Sequence, residues 1–509
     1  MLQAAQCLQQ ELAHIVIHNH DRHVDRGFLL MHGPDSGGEH RFRKIRRILP
    51  AMRKVHAYRS EVVRTMSLAV PIVVTQLAHI SMSFVDTIMV GRLGADELAG
   101  VALGNTVFFS MLIFCMGILM AVGPMVSQAY GAGDTESVGR SVRQGLWMTV
   151  LLGLVGFVLI RNADFFLQLT GQTPANTARS ASYLDAIGWG VFPFLGFVAL
   201  RSFMEAVARP RIVTAIALIG VLLNIGANWV LMYGHFGFPA LGLVGTGWAS
   251  TIVFTFNFLA LLFIVARERS FDVYGIFSRI GRPDPTYFRE LVRIGWPIGT
   301  SMGVEMGLFM ATVLMMGWIS TTALAAHQVA IQCAAFSFMV PLGIGMATSV
   351  RVGHCVGQRN PDGARRAGLT GMGLSAGFMA VAAVFFWLIP ERLVGLYLDT
   401  SLASNAPVVD LAVSLLAFAA VFQVVDGIQV SAMGALRGLK DTRAPMVLSV
   451  MSYWGLGLTS GYILAFHAGF EERGLWMGLV VGLAVAAVLL SRRFMVHVRD
   501  GSFREPAPR

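Results

Sequence analysis

The chain has 509 residues, 55% of them hydrophobic and only 13% charged, with a formal net charge of +10. A soluble protein of this length needs far more charge to cover its surface, so composition excludes a soluble globular class and predicts an all-α polytopic membrane protein. The positive balance does not mark a nucleic-acid binder, because the arginines and lysines fall in the short gaps between apolar runs, where the positive-inside rule accounts for them.

Residues 1–61 are polar and basic, with RFRKIRR at 41–47. They lack an apolar run followed by a cleavage site, so they are not a signal peptide. Three readings stand side by side: a basic tail touching anionic lipid, a mis-assigned start with Met31 or Met52 as the first residue, or metal binding by His18, His20 and His23. Twelve apolar runs follow, at 64–90, 98–123, 142–160, 184–207, 213–234, 243–265, 290–318, 324–349, 368–389, 409–434, 445–467 and 475–493. Each is long enough, or nearly so, to cross about 30 Å of hydrocarbon as a helix. Every second gap is rich in arginine and lysine, seventeen against five in the alternate gaps. That asymmetry predicts a multi-pass membrane protein with both termini cytoplasmic.

The chain also repeats itself. Residues 71–145 align without gaps onto 297–371 at an offset of 226, carrying Pro71 onto Pro297, Gly117 onto Gly343, Gly131 onto Gly357 and Arg140 onto Arg366. Six spans per half give both halves the same orientation, a parallel repeat of the kind that packs around a cavity and rocks to give alternating access. The expected organisation is a six-helix lobe over 62–265, a linker over 266–289, a second lobe over 290–493 and a tail over 494–509.

Polar residues inside these spans are the functional candidates, because a charge at mid-bilayer costs about 2.5–3.5 kcal/mol on insertion scales and usually faces a water-filled cavity. Glu305 lies within PIGTSMGVEMGLFMATVLMMG, opposite a ridge formed by Gly299, Gly303 and Gly307 that lets another helix approach closely. Asp86 stands towards the outer end of the first span and Asp426 on the tenth, with Phe422 one turn before it and Gln429 almost one turn after. Asn224 and Asn228 share one face of the fifth span, for interhelical hydrogen bonding, a polar site, or both. Arg201 and Glu205 are spaced for an ion pair, Asp185 and Asp410 lie at outer helix ends, and His327 suggests a hydrogen-bonded packing role. Met82, Met89 and Met306 could form a pliable apolar wall for varied ligands. The four cysteines, Cys7, Cys115, Cys333 and Cys355, show no paired spacing and read as free thiols; no cofactor pattern is visible. GxxxxGK[ST] and HExxH are absent, and the two GxSxG matches, at 299–303 and 373–377, lie inside apolar runs rather than on a strand-to-helix turn, which argues against ATP use and against an enzyme.

FVDTIMVGRLGADELAGVALG at 84–104, LLNIGANWVLMYG at 222–234, TALAAHQVAIQ at 322–332, SVRVGHCVGQ at 349–358 and ALRGLKDTRAP at 435–445 resemble the multidrug and toxic compound extrusion (MATE) family, most closely its NorM-type bacterial branch. The resemblance covers about 62–495 and implies a two-lobed, twelve-helix antiporter that exports amphiphilic, often cationic compounds in exchange for Na⁺ or H⁺. It implies a cation-coupling role for Asp86, with Asn224 and Asn228 beside it, and sets Glu305 and Asp426 together in the second lobe. Two carboxylates that close cannot both stay charged unless a cation sits between them, so the pair would share a proton or hold Na⁺. Some relatives carry Tyr where this chain has Phe422, which removes an oxygen but leaves a ring face for a cation. A monomer suffices for this mechanism, with organic cations and the lipid bilayer as partners. The rival expectation is a lipid-linked precursor flippase or polysaccharide exporter on a related scaffold, which would need a cationic cavity.

Overall fold

The computed structural model describes residues 36–500 apart from 170–172, 279 and 282. The chain falls into two units, Met1–Ser60 and Glu61–Arg509. In the first, residues 36–60 are helical, and Cys7, His18, His20 and His23 lie outside the described residues.

Twelve helices are long and apolar enough to cross a membrane: α1 His56–Gly91, α2 Ala95–Ala132, α3 Thr135–Arg161, α4 Pro174–Ala206, α5 Pro210–Tyr233, α6 Leu243–Arg267, α7 Pro285–Ile319, α8 Thr321–Gly357, α9 Pro361–Leu388, α10 Ala403–Gly438, α11 Arg443–Phe466 and α12 Glu471–Asp500. Among the described residues there is no strand, as expected where hydrocarbon forces every backbone group to bond within its own segment. Some of the helices start where short polar side chains cap free amides. Asp134 accepts from the Ser137 amide at 3.0 Å before α3, and Asn360, its repeat-related residue, accepts from the Gly363 amide at 2.8 Å before α9. Outward faces carry large apolar residues such as Leu222, Leu388 and Trp318, exposed by 70%, 73% and 68%, as suits helices that face hydrocarbon.

Two large apolar cores form, one within Val90–Ile298 and the other within Leu308–Val498. The first helix of each half reaches out of its own half. Leu291, Ile294 and Ile298 of α7 belong to the first core, whereas Leu68, Ala69 and Ile72 of α1 pack on Ile344, Ala347 and Val350 of α8. Glycine makes both crossings feasible. A Cβ on Gly117 would lie 2.1 Å from the Gly299 Cα, and one on Gly343 would lie 3.1 Å from the Val73 Cα. These two contacts are the same pair shifted by 226 residues, so the repeat governs packing as well as sequence.

The Arg-rich ends of α2 and α8 also touch through related residues. A Cβ on Gly131 would meet the His354 carbonyl oxygen at 2.3 Å, and one on Gly357 the Gln128 carbonyl oxygen at 2.0 Å. Gln128 Nε2 donates to the Gly438 carbonyl at 2.9 Å and His354 Nε2 bonds the Ala206 carbonyl at 2.7 Å. Each acceptor stands two residues before a left-handed non-glycine residue, Lys440 or Ala208, both at φ 60°. A two-pronged ion pair, Glu61 to Arg351 at 2.8 and 2.9 Å, joins α1 to α8 on the same side.

The Gly299–Gly303–Gly307 ridge differs from the expectation of one continuous seam. Gly299 meets Phe114 of α2 and Gly307 meets the Trp454 indole of α11, while Gly303 between them faces open space. The split follows from α7 leaving one core for the other. Within α11, Met451–Leu458 is wound as a π-helix, a form that recurs at functional sites; it presents Trp454, whose indole N–H donates to the Val304 carbonyl at 3.0 Å.

Two measurements check this packing. Gly117→Leu should deplete folded protein in the membrane, because a side chain there meets backbone that cannot yield, and Gly303→Leu should be tolerated far better. Arg359 ends α8 at φ 55° where its repeat-related residue is Gly133 at φ 73°. Arg359→Gly should therefore raise the thermal midpoint by relieving about 1 kcal/mol of left-handed strain, while Arg359→Ala leaves it unchanged.

Candidate functional site

In the first half the site is built around Asp86 of α1. Asn228 Nδ2 of α5 donates to its carboxylate at 2.6 Å, and Asn224, one turn earlier on the same face, lies beside it. Both asparagines are fully buried, and the Asn224 amide has no other partner. Asp86 opens onto a cavity of about 310 Å³ that also receives Asn105 of α2, Tyr183 of α4, and Ser250 and Asn257 of α6. Its apolar wall includes Met82, Met116, Met120, Met302, Met339 and Met346, unbranched side chains that can repack around differently shaped ligands. Met82, one of the three methionines expected in such a wall, is among these lining residues. Met89 and Met306 are corrections: neither lines a described cavity, and Met89 instead gives its carbonyl to the Tyr233 hydroxyl at 2.8 Å, near the end of α1.

Arg201 also lines this cavity. It pairs with Glu205 at 2.7 Å and donates to Gln76 Oε1 at 2.7 Å, so its charge is spent on its neighbours. Glu205 and Arg437 face a second, smaller space of about 50 Å³ between the halves.

The second half brings Glu305 of α7 and Asp426 of α10 to one cavity of about 130 Å³, walled by Phe309, Ile331, Phe338 and Phe422. Phe422 sits edge-on to Phe309 and Trp476, with ring centroids 6.2 and 5.9 Å away. Asp426 is only 4% exposed and its Oδ1 finds no hydrogen-bond partner. The Gln429 Oε1 and the Tyr453 hydroxyl are likewise buried and unpartnered, and Tyr453 lies close enough to both acids to feel their charge. Arg437 is the basic group that acts on Glu305 at longer range, yet its own Nε is unbonded and no ion pair closes between them. Unsatisfied oxygens and two acids around an aromatic pocket form a set that a proton or a small cation would satisfy.

His327 departs from its expected hydrogen-bonded role. It is fully buried, neither ring nitrogen has a partner, and it packs edge-on to Trp476 at 5.7 Å. Asp185 pairs with Arg161 at 2.5 Å on the exposed surface, and Asp410 is exposed. Cys115, Cys333 and Cys355 are free and buried. Sequence reasoning missed Asn105, Tyr183, Ser250, Asn257 and Tyr453. A lone amide in the apolar run TFNFLALL was the available signal for Asn257, whereas Tyr183 in SASYLDAIGW reads as an ordinary helix-end residue.

The MatE family model matches residues 71–230 and 297–463, one stretch in each half. A probable multidrug resistance protein NorM of Mesorhizobium japonicum is 42% identical over 440 residues, covering 86% of this chain and 94% of its own. One of the same name from Brucella suis is 40% identical, covering 88% and 96%. Among solved structures, an outward-facing multidrug resistance MATE family transporter of the MOP superfamily superposes with a TM-score of 0.81 at 18% identity, over 88% of this chain and 97% of that one.

The Asp86–Asn228 bond gives a direct test of the first site. Hydrogen bonds to a charged group are worth about 1.5–3 kcal/mol, and exposure to the cavity brings this one to the low end. In a cycle of Asp86→Asn, Asn228→Ala and the double variant, the losses in thermal stability should fail to add by roughly 1 kcal/mol. Additive losses would show that the two side chains do not act together.

Proposed function

This chain belongs to the MatE family, and on that footing we propose that it is a secondary active multidrug efflux transporter, exporting amphiphilic, often cationic organic compounds in exchange for Na⁺ or H⁺. The observation that carries the reading is the pair of acids, half-buried Glu305 and buried Asp426, held in one pocket with no ion pair to either among the described residues. A charge in hydrocarbon persists where something positive can come and go beside it.

The rest of the mechanism follows from which side is sealed. Interlobe hydrogen bonds run from Gln128, His354 and Arg351, all at the Arg-rich ends of the helices. With that side cytoplasmic by the positive-inside rule, both termini face the cytoplasm and the cavity at Asp86 communicates outward. The functional lobes are residues 62–265 and 290–493, joined by the segment 266–289. The inward-moving ion enters from outside and neutralises Glu305 and Asp426, with Gln429, Tyr453 and the Phe422 face as neighbours. Asp86, with Asn224 and Asn228, offers the second carboxylate site, beside the methionine-walled space where a flat cation fits. Ion and drug oppose each other because each supplies the positive charge that the acids need. The lobes then part at the glycine tips of α2 and α8 and reverse access. A flippase for pyrophosphate-linked lipids is disfavoured, because the arginine lining the larger cavity is already engaged by Glu205 and Gln76.

Ethidium efflux from energised vesicles, with Na⁺ and pH gradients imposed separately, tests this. One gradient should drive efflux by the unaltered protein. Glu305→Gln and Asp426→Asn should each lower gradient-driven transport at least tenfold while the protein remains inserted. Unaltered rates in both variants would remove the pair from the mechanism.

A further inference from the structure

A fourth space, unconnected with the transport reading, opens at the Arg-rich end of the second half. Its volume is about 720 Å³, and it lies between the start of α7, the turn joining α10 to α11, and the end of α12. Six of its lining residues carry the argument: Arg289, Glu290, Arg293, Lys440, Asp441 and Arg443. Both acids are already matched. Glu290 takes Lys440 at 2.7 Å, and Asp441 takes Arg493 at 2.9 Å with His497 at 3.3 Å. Burial alone would raise the Asp441 carboxyl, but hydrogen bonds from His497 and Arg493 outweigh it and hold it below the usual carboxylate range. It therefore stays ionised and keeps its two bases occupied.

Arg289, Arg293 and Arg443 are left over, all exposed on the pocket wall and none in an ion pair with another described residue. Arg289 and Arg293 are four residues apart and share one face of α7. Arg443 opens α11, whose first turn has no side-chain cap, whereas the start of α7 is already capped by Asp284. Three guanidinium groups lining one solvent-open space match the charge and donor chemistry that a phosphate group needs, which arginine grips through paired N–H donors. Uncapped amides at the start of α11 add donors of the same sign.

We infer that this pocket binds a phosphate-bearing anion, the headgroup of an anionic phospholipid or a soluble phosphate, through Arg289, Arg293 and Arg443. The turn that carries Lys440 and Arg443 continues directly from α10, the helix of Asp426, so the occupant sits on the far end of the helix that bears a transport acid.

The test uses the full chain purified in a neutral detergent. One arm adds phosphatidylglycerol and counts retained lipid by native mass spectrometry; the other adds inorganic phosphate and reads the thermal midpoint. The variant Arg289→Gln/Arg293→Gln/Arg443→Gln is compared with Arg359→Gln/Arg365→Gln/Arg366→Gln, which removes as much charge elsewhere on the same side. We expect lipid retention to fall at least tenfold in the first variant and less than twofold in the second. A phosphate-dependent rise in midpoint that only the first variant loses, without a difference in lipid retention, identifies the soluble anion as the occupant. Equal losses in the two variants, or no response to either ligand, overturn the inference. Five of the six substituted arginines are exposed and Arg366 is half-buried, and thermal midpoints without ligand show whether both variants are folded.

Discussion

Backbone lying against backbone is the constraint on which this molecule rests. Apolar side chains do not drive helices together in lipid, since the tails are as apolar as leucine; close approach and directional bonds do. Gly117 against Gly299 and Gly343 against Val73 supply the approach in mid-membrane, and Gly131 and Gly357 supply it at the Arg-rich tips. Because each contact recurs at the 226-residue offset, the two halves hold each other by the same means in both directions. The cavities are what remains where such contacts stop, as at Gly303, which has nothing beside it.

The two carboxylate sites differ in how they are kept. Asp86 is half-buried and hydrogen-bonded to Asn228, so an amide always answers part of its charge. Asp426 has a bare oxygen in an aromatic pocket and depends on a visitor for the same service. One site therefore tolerates being empty better than the other. Under the proposed exchange, that asymmetry gives a direction of preference: the second site would draw its cation more strongly than the first, which opens onto a methionine-lined space.

Much of this was legible before any coordinates. Twelve apolar runs became twelve helices because hydrocarbon admits no other open-ended structure. The acids declared themselves by their cost, and the glycine spacing predicted close helix contact. What stayed hidden was partnership. Nothing in an apolar run says whether its neighbour is lipid or protein, so the exchange of α1 and α7 between halves could not be read from Leu68 or Ile298. Met89 and Met306 look like Met82 in sequence, yet only Met82 faces a cavity. Tyr453 and Trp454 were invisible as site neighbours because a π-wound segment turns side chains away from the direction that regular helical spacing assigns.

The Glu61–Arg351 pair closes across 290 residues of chain. During synthesis α1 therefore enters the bilayer long before the helix that will neutralise its acid has been made. Leu68, Ala69 and Ile72 wait with it, since their neighbours on α8 arrive equally late. The earliest span is thus among the last to be completed. A ribosome that stalls before α8 leaves behind a product with a stranded carboxylate and a bare helix face, the features by which a cell distinguishes unfinished membrane proteins from finished ones.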